Sequence, residues 1–238
     1  MKSFVIHMQG DQRRAANAQT LLDVLPQAQI MPAVIGRDVV AAGAVSVRPG
    51  DLFHPRYPFA LGPGEIGCFL SHRACWQAIV DQDLDHALIA EDDMAVTPEA
   101  WRDVLALVTA HATADSFIRI PAKDRETPAQ TVDATGQARL FVPRVIGLQT
   151  VCQVVGRAAA QRLLDASETL DRPVDTFLQM HWVTQQIVHT ILPNGVRELT
   201  DELGGSTIQK KTRTSGKLAR EIRRAIYRAQ VNLRPQRV

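Results

Sequence analysis

The sequence predicts an α/β protein with a central sheet flanked by helices and a ligand held at the carboxyl ends of its strands. Three observations carry this. The chain opens with an apolar strand-like run over residues 3–8, a Gly10-Asp11 turn and an amphipathic stretch over 12–25. Four apolar residues, Ala87 to Ala90, end abruptly in Glu91-Asp92-Asp93. Between and after these, short apolar runs alternate with stretches of helical periodicity.

Taken in order, residues 3–8 are the first strand. The helix over 12–25 carries Ala16, Leu21, Leu22 and Leu25 on its apolar side. Ala33-Val34-Ile35 reads as a second short strand, broken by Gly36. Residues 38–63 contain Pro49, Pro55, Pro58 and Pro63 and read as a long loop, of the kind that is usually functional or mobile. Ile66, Phe69, Leu70, Ala74, Ile79 and Val80 give residues 65–81 a helical stripe. Residues 87–90 are a buried strand, more often parallel than edge. Thr97 and Pro98 mark the next helix, as N-cap and first helical residue. Residues 117–120, 138–142 and 150–155 read as strands, 157–166 as a helix, and 172–192 as mixed helix and loop. A last helix spans about 217–230, with Leu218, Ile222, Ala225 and Ala229 recurring at spacings of four and three.

At 238 residues, 45% hydrophobic and 22% charged, the chain can bury a full core. No apolar run approaches the roughly 20 residues that cross a bilayer. The first residues lack the apolar core of a signal peptide, so a cytosolic protein is expected. Cys68, Cys75 and Cys152 show no metal-binding spacing and are expected as buried free thiols. The net charge of +2 hides an asymmetry: from Ile208 onward there are ten bases and one acid, Glu221, against 17 bases and 24 acids before it. Body and tail therefore divide at about residue 208, with 209–238 a basic amphipathic tail.

Three adjacent carboxylates repel one another and need a counter-ion or water. A hard divalent cation bridging to phosphate oxygens is one reading; a solvated acidic turn is the other. The surrounding residues bear on the choice. Gly64-Glu65-Ile66-Gly67-Cys68-Phe69-Leu70-Ser71-His72-Arg73, then Trp76 to Val80, then His86 to Met94 closely resemble the central signature of glycosyltransferase family 25. Further matches are Arg13-Arg14 after the first strand, Ala33 to Arg37, Pro173-Val174-Asp175 and Ser206-Thr207-Ile208. Three features depart from the family pattern: His7 stands where Asn or Ser is usual, the first turn is one residue shorter, and no Tyr lies near Cys152.

This resemblance implies a GT-A type nucleotide-sugar-binding fold over residues 1–208, a Rossmann-like mixed sheet flanked by helices. It also implies inverting transfer of a sugar, usually galactose, from a UDP-sugar to an acceptor hydroxyl. Breaking the bond to a diphosphate develops negative charge, which a cation held by carboxylates neutralises. Oxygen ligands favour manganese or magnesium. Asp93 is the first metal ligand expected and Glu91 the second, since alternate residues of an extended chain point the same way. Asp92 then faces elsewhere, toward the nucleotide ribose or a backbone amide. Inversion needs a base opposite the leaving group. Asp175 is the best candidate, with Asp171, Glu168 and His181 as rivals and a helix N-cap or a second metal ligand as the alternative roles.

Donor contacts are expected from Arg13 or Arg14 to the diphosphate, from Gly36 by close backbone approach, and from Ser71, His72 and Arg73 on the helix before the acidic strand. Each has a plain structural alternative, respectively a surface arginine, a turn glycine and a hydrogen-bonded helix residue. Glu65 caps its helix or binds donor. Gly67 and Cys68 are small where the helix crosses the sheet. The basic tail suits an anionic membrane at the inner face of the cell membrane and so a lipid-linked or surface glycan acceptor such as lipopolysaccharide. Its one aromatic, Tyr227, and the lack of any recognisable motif speak against nucleic acid. The alternatives are a UDP-glucose or UDP-N-acetylhexosamine donor, or a degenerate homologue that binds a sugar or partner without catalysis.

Overall fold

The computed structural model describes residues 1–205 and 217–236. Its opening unit is β1 (Lys2–His7), α1 (Gln12–Val24) and β2 (Ala28–Pro32), followed by α2 (Gly36–Ala41) and β3 (Ser46–Val47). Next come α3 (Pro63–Asp81), β4 (His86–Glu91), β5 (Met94–Val96), α4 (Pro98–His111) and β6 (Phe117–Arg119). The hairpin of β7 (Pro128–Thr135) and β8 (Ala138–Pro143) leads to β9 (Cys152–Gly156), α5 (Arg157–Asp165) and β10 (Thr169–Leu170). The chain continues through α6 (Val174–Leu178), α7 (His181–Thr184), β11 (His189–Leu192), β12 (Val196–Glu198) and α8 (Lys217–Asn232).

Eight strands make one mixed sheet in the order β2-β1-β4-β9-β6-β11-β8-β7. β1 runs parallel to β2 and β4, while β9 is antiparallel to β4 and β6. The two-residue period of a strand sorts side chains onto the two faces. Phe4, Ile6, Ala87 and Ile89 join α3 and α5 through Phe69, Trp76, Ile79 and Leu163. Val5, Leu88 and Ala90 join α1 and α4 through Leu21, Trp101, Val104 and Leu107. Because both faces are covered, Ala87 to Ala90 are fully buried, which is why β4 reads as an unbroken apolar run.

Several boundaries differ from the sequence reading. The second strand is Ala28–Pro32, not residues 33–35. It is an edge strand with little burial, so its sequence lacks the apolar signature that the next three residues show by chance. Residues 38–63 hold most of α2 and all of β3 rather than loop alone. β7 was not foreseen: it is exposed nearly throughout and pairs only with β8, across the two-residue Gly136-Gln137 loop where Gly136 has φ +57°. The Thr97 cap holds by backbone geometry, without a side-chain cap bond. Ser206-Thr207-Ile208 lies outside the described residues.

Two glycines fix how α3 meets the sheet edge. A Cβ on Gly67 would lie 2.6 Å from the Val34 carbonyl oxygen, and one on Gly36 would lie 1.9 Å from that of Pro63. Backbone therefore touches backbone at this crossing. α8 packs on the body through Tyr227 and Val231. The Tyr227 ring meets Tyr57 edge-on at 5.4 Å, and its hydroxyl lies 3.2 Å from Arg172 Nη1. Arg172 is fully buried; it pairs with Asp171 and also donates to the carbonyls of Phe53 and Pro55. The stripe of Leu218, Ile222, Ala225 and Ala229 is exposed.

Candidate active site

The parallel register of β1 and β4 sets Ile6 opposite Glu91, so His7 falls beside Asp92 at the strand ends. His7 Nδ1 lies 2.7 Å from Asp92 Oδ2. Arg14, on the first turns of α1, donates to Asp92 Oδ1 at 2.7 Å and reaches Asp93 Oδ2 at 3.0 Å. Asn17, one turn further along, donates to the carbonyls of Asp92 and Met94 at 2.7 and 2.9 Å. The acidic turn is thus clamped by the helix that follows β1. Asp92, expected to face a ribose or a backbone amide, is here paired with Arg14 and His7.

Glu91 accepts from Thr150 Oγ1 at 2.5 Å and pairs with His72 Nε2 at 3.2 Å. The Gln153 amide, placed with its NH2 2.8 Å from His72 Nδ1, makes that nitrogen the acceptor, so Nε2 carries the proton toward Glu91. Burial pushes the Glu91 carboxyl up, but the bonds from His72 and Thr150 and the charge of Arg14 outweigh it, and it sits below its ordinary value. Asp93 moves the other way: burial and the charge of Glu91 raise it against the opposing pull of Arg14 and Thr200. Thr200 Oγ1 lies 2.8 Å from Asp93 Oδ2, and Leu199 N donates to the Asp93 carbonyl at 2.6 Å. Among the described residues, the other carboxylate oxygen, Asp93 Oδ1, is buried with no partner.

Of these acids Glu91 alone lines a cavity of about 300 Å³, together with Tyr57, Glu65, Cys68, Asp175 and Glu198, with Gln149 and Thr150. No lysine or arginine is among the described residues lining it. Asp175 sits at the start of α6, where its Oδ1 accepts from Thr176 N at 2.7 Å and Thr176 Oγ1 at 3.1 Å. Burial raises its carboxyl despite these bonds and the backbone N–H of Gln149. The three rivals point elsewhere. Asp171 is spent on Arg172 and on Leu52 N, Glu168 is exposed, and His181 Nε2 faces the Arg234 carbonyl at 3.0 Å.

Other donor candidates separate in the same way. Glu65 both lines the cavity and caps α3, accepting from Gly62 N at 2.7 Å. Ser71 joins α3 to the stretch after β2, accepting from Val34 N and donating to the Gly67 carbonyl. Arg73 turns to α5, where it bonds the Leu164 carbonyl and Ser167. Arg13 is exposed and pairs with Asp11, the side chain that caps α1. Gly36 serves the backbone crossing with α3.

Gln149, Thr150, Glu198, Thr200 and Tyr57 were not anticipated. Gln149 holds φ +86°, a strained conformation for a residue with a side chain, and donates from Nε2 to Glu198 Oε2 at 2.9 Å. Arg119, itself buried, donates to the carbonyls of Leu148 and Gln149 at 2.7 and 3.1 Å and so holds this loop. Tyr57, Leu148, Gln149 and Thr176 also line a second cavity, of about 530 Å³, together with Lys123, Arg125, Glu126, Arg224 and Arg228. An acidic chamber and a partly basic one therefore share a partition.

As to metals, Cys68, His72 and Glu91 offer ligand atoms within 4.8 Å of one another. The thiol there is poorly suited to bind as thiolate, because burial and the surrounding acids push it up, and His72 Nε2 is occupied by Glu91. The unpartnered Asp93 Oδ1 and the open side of Glu91 fit a hard, oxygen-seeking cation better.

The family described as glycosyltransferase family 25 (LPS biosynthesis protein) matches residues 1–178. The chain belongs to glycosyltransferase family 25. Relatives include a glycosyltransferase 25 family member of Drosophila melanogaster, 28% identical over 186 residues, covering 74% of this chain and 30% of that protein. The inactive glycosyltransferase 25 family member 3 of Mus musculus is 31% identical over 176 residues, 70% of this chain and 29% of its own. Procollagen galactosyltransferase 2 of Homo sapiens is 26% identical over 172 residues, 70% of this chain and 28% of its own. This family 25 chain thus spans less than a third of the length of these relatives. Two contributors to its acidic site, Glu198 and Thr200, lie beyond the matched residues.

Proposed function

We propose that this chain is an inverting glycosyltransferase of GT-A type. It moves a sugar, galactose in first place, from a UDP-sugar to a hydroxyl of a lipid-linked or surface glycan such as lipopolysaccharide, at the cytoplasmic face of the membrane. The observation that carries the reading is the cavity walled by Glu65, Glu91, Asp175 and Glu198 at the end of β4, backed by the buried, half-satisfied Asp93. A diphosphate entering such a chamber meets like charge on all sides, so a cation has to stand between them. Glu91 and Asp93 would hold manganese or magnesium, which supplies neutralisation of the charge that develops on the leaving diphosphate.

The protein's own groups do the rest. Arg14 keeps Asp92 and Asp93 in register without itself reaching the cavity wall. Asp175 takes the proton of the acceptor hydroxyl as its oxygen bonds to the anomeric carbon, while the bond from that carbon to the phosphate oxygen breaks and UDP leaves with the electron pair. Thr176 and the Gln149 N–H fix the carboxylate for this step. The second cavity, across the shared partition, receives the acceptor.

The test is UDP release from a panel of UDP-sugars, with and without manganese, for the native chain and Asp93→Ala. Metal-dependent hydrolysis of one sugar, lost in the variant, is expected and names the donor. Neither release nor UDP binding by calorimetry would leave the second reading, a non-catalytic homologue. That reading is favoured by the likeness to the inactive mouse relative.

A further inference from the structure

α8 is mounted with its apolar side outward. A surface helix normally turns an apolar stripe of 100° or more toward the core. Here the side facing the body is aromatic and basic: Tyr227 on Tyr57 and Arg172, and Arg220 and Arg224 over the Phe59 ring at 5.6 and 5.5 Å. Val231 is buried there as well. Placing the residues at about 100° intervals puts Ala225, Leu218, Ala229, Ile222, Leu233, Ile226 and Ala219 on one unbroken arc of roughly 120°, nearly opposite Tyr227 and Arg224. All seven are exposed, Leu218 at 76%, Ile222 at 51%, Ile226 at 54% and Leu233 at 80%. The Leu233 N–H still bonds to the Ala229 carbonyl, so the arc runs the full length of the helix.

What covers the arc is decided by what borders it. Arg223 and Arg234 flank one margin, Asn232 and Glu221 (itself paired with Arg224) lie at the other, and residues 217–236 carry six bases against Glu221 alone. Two copies pressed together along this helix would oppose like charges, and one helix face offers far less than the area a stable dimer buries. The undescribed stretch 206–216 contains a single large apolar residue, Ile208, which is too little to cover seven positions. A lipid surface meets both demands: acyl chains take the arc, and anionic headgroups take the bordering guanidinium groups. No helix among the described residues is long and apolar enough to cross a membrane, so contact would be in the plane of the surface.

We infer that the outward face of α8 docks this protein on a bilayer containing anionic phospholipid. The inference stands apart from sugar transfer, since a chain without that activity would bind in the same way. The test is co-sedimentation of the full chain with phosphatidylglycerol-containing vesicles and with phosphatidylcholine vesicles. The variants are Ile222→Asp with Ile226→Asp, and Arg223→Ala with Arg234→Ala. Circular dichroism and donor hydrolysis serve as controls of fold and site.

Selective binding to the anionic vesicles is expected. The aspartate pair should abolish it, and the alanine pair should weaken it roughly tenfold or more. Three results would overturn the inference: no binding by the native chain, equal binding to neutral vesicles, or undiminished binding by the aspartate pair. A dimer in sedimentation velocity that the aspartate pair dissociates, without vesicle binding, would assign the face to a second copy instead.

Discussion

Asp175 and Glu91 line the same cavity, yet their surroundings push them in opposite directions. Burial lifts the Asp175 carboxyl above its ordinary range. A base must be ionised to accept a proton, so turnover should fall as pH drops through that raised value. The same shift acts on stability with the opposite sense. The folded state prefers the neutral acid, so the contribution is fully present below the unfolded aspartate value and is lost as pH rises through the folded one. Asp175→Asn should therefore lower turnover by about 10²- to 10⁴-fold while leaving the melting temperature at neutral pH unchanged or higher; unchanged turnover would sink the assignment. Glu91 is held below its ordinary value, so its contribution is present above the unfolded glutamate value and is lost as pH falls through the folded one. Thr150→Val removes one of its bonds and should cost about 1–2 kcal/mol in a urea melt at pH 7. Glu91 and Asp175, which the fold brings to one cavity, stand out in the sequence because each lies in a recognisable local pattern. Thr150, Gln149 and Glu198 do not, because they reach the site only through strand pairings and a loop geometry that no local pattern reports.

At the scale of elements, the crossing of α3 over the stretch after β2 tolerates no side chain at either glycine. Gly67→Ala would place a methyl group 2.6 Å from the Val34 oxygen and 2.9 Å from Gly36 N. Both neighbours are backbone and cannot swing aside, so a loss of about 1–3 kcal/mol in thermal denaturation is expected. The helices were legible from their apolar stripes, α1 after the Gly10-Asp11 turn and α4 behind the Thr97-Pro98 cap, whereas α3 begins at Pro63, two residues before the start its stripe suggested. The edge strands β2 and β7 were not, because a strand buried on neither face need not show period-two alternation. α8 was legible as a basic amphipathic helix, but the side by which it docks on the body, through Tyr227 and Val231, was not. Periodicity shows that a helix has an apolar side and does not show which way that side faces.

Across the whole molecule, Arg172 is the point where distant segments meet. One guanidinium joins Asp171, the 53–55 carbonyls and Tyr227 of α8. Arg172→Met would strand the Asp171 carboxylate in the interior, at a cost of about 3–5 kcal/mol. It would also release α8, which limited proteolysis within residues 217–236 should register before the body is cut. The sheet's class was legible from the alternation of strands and helices, whereas its order was not. The antiparallel insertion of β9 between β4 and β6 depends on long-range pairing.

The clamp that α1 and β1 place on the acidic turn bears on how the chain would behave before any cation reaches it. Asp92 is already paired with Arg14 and His7, and Asp93 with Arg14 and Thr200, so the turn is held in place from within. A site of this kind does not need metal to fold, in contrast to small zinc domains that collapse when chelated. Dialysis against EDTA should leave the melting temperature nearly where it was. Manganese added back should raise it only by the mass-action increment set by its concentration over its dissociation constant. The ion would then be a co-substrate of each catalytic cycle, free to depart with the spent nucleotide.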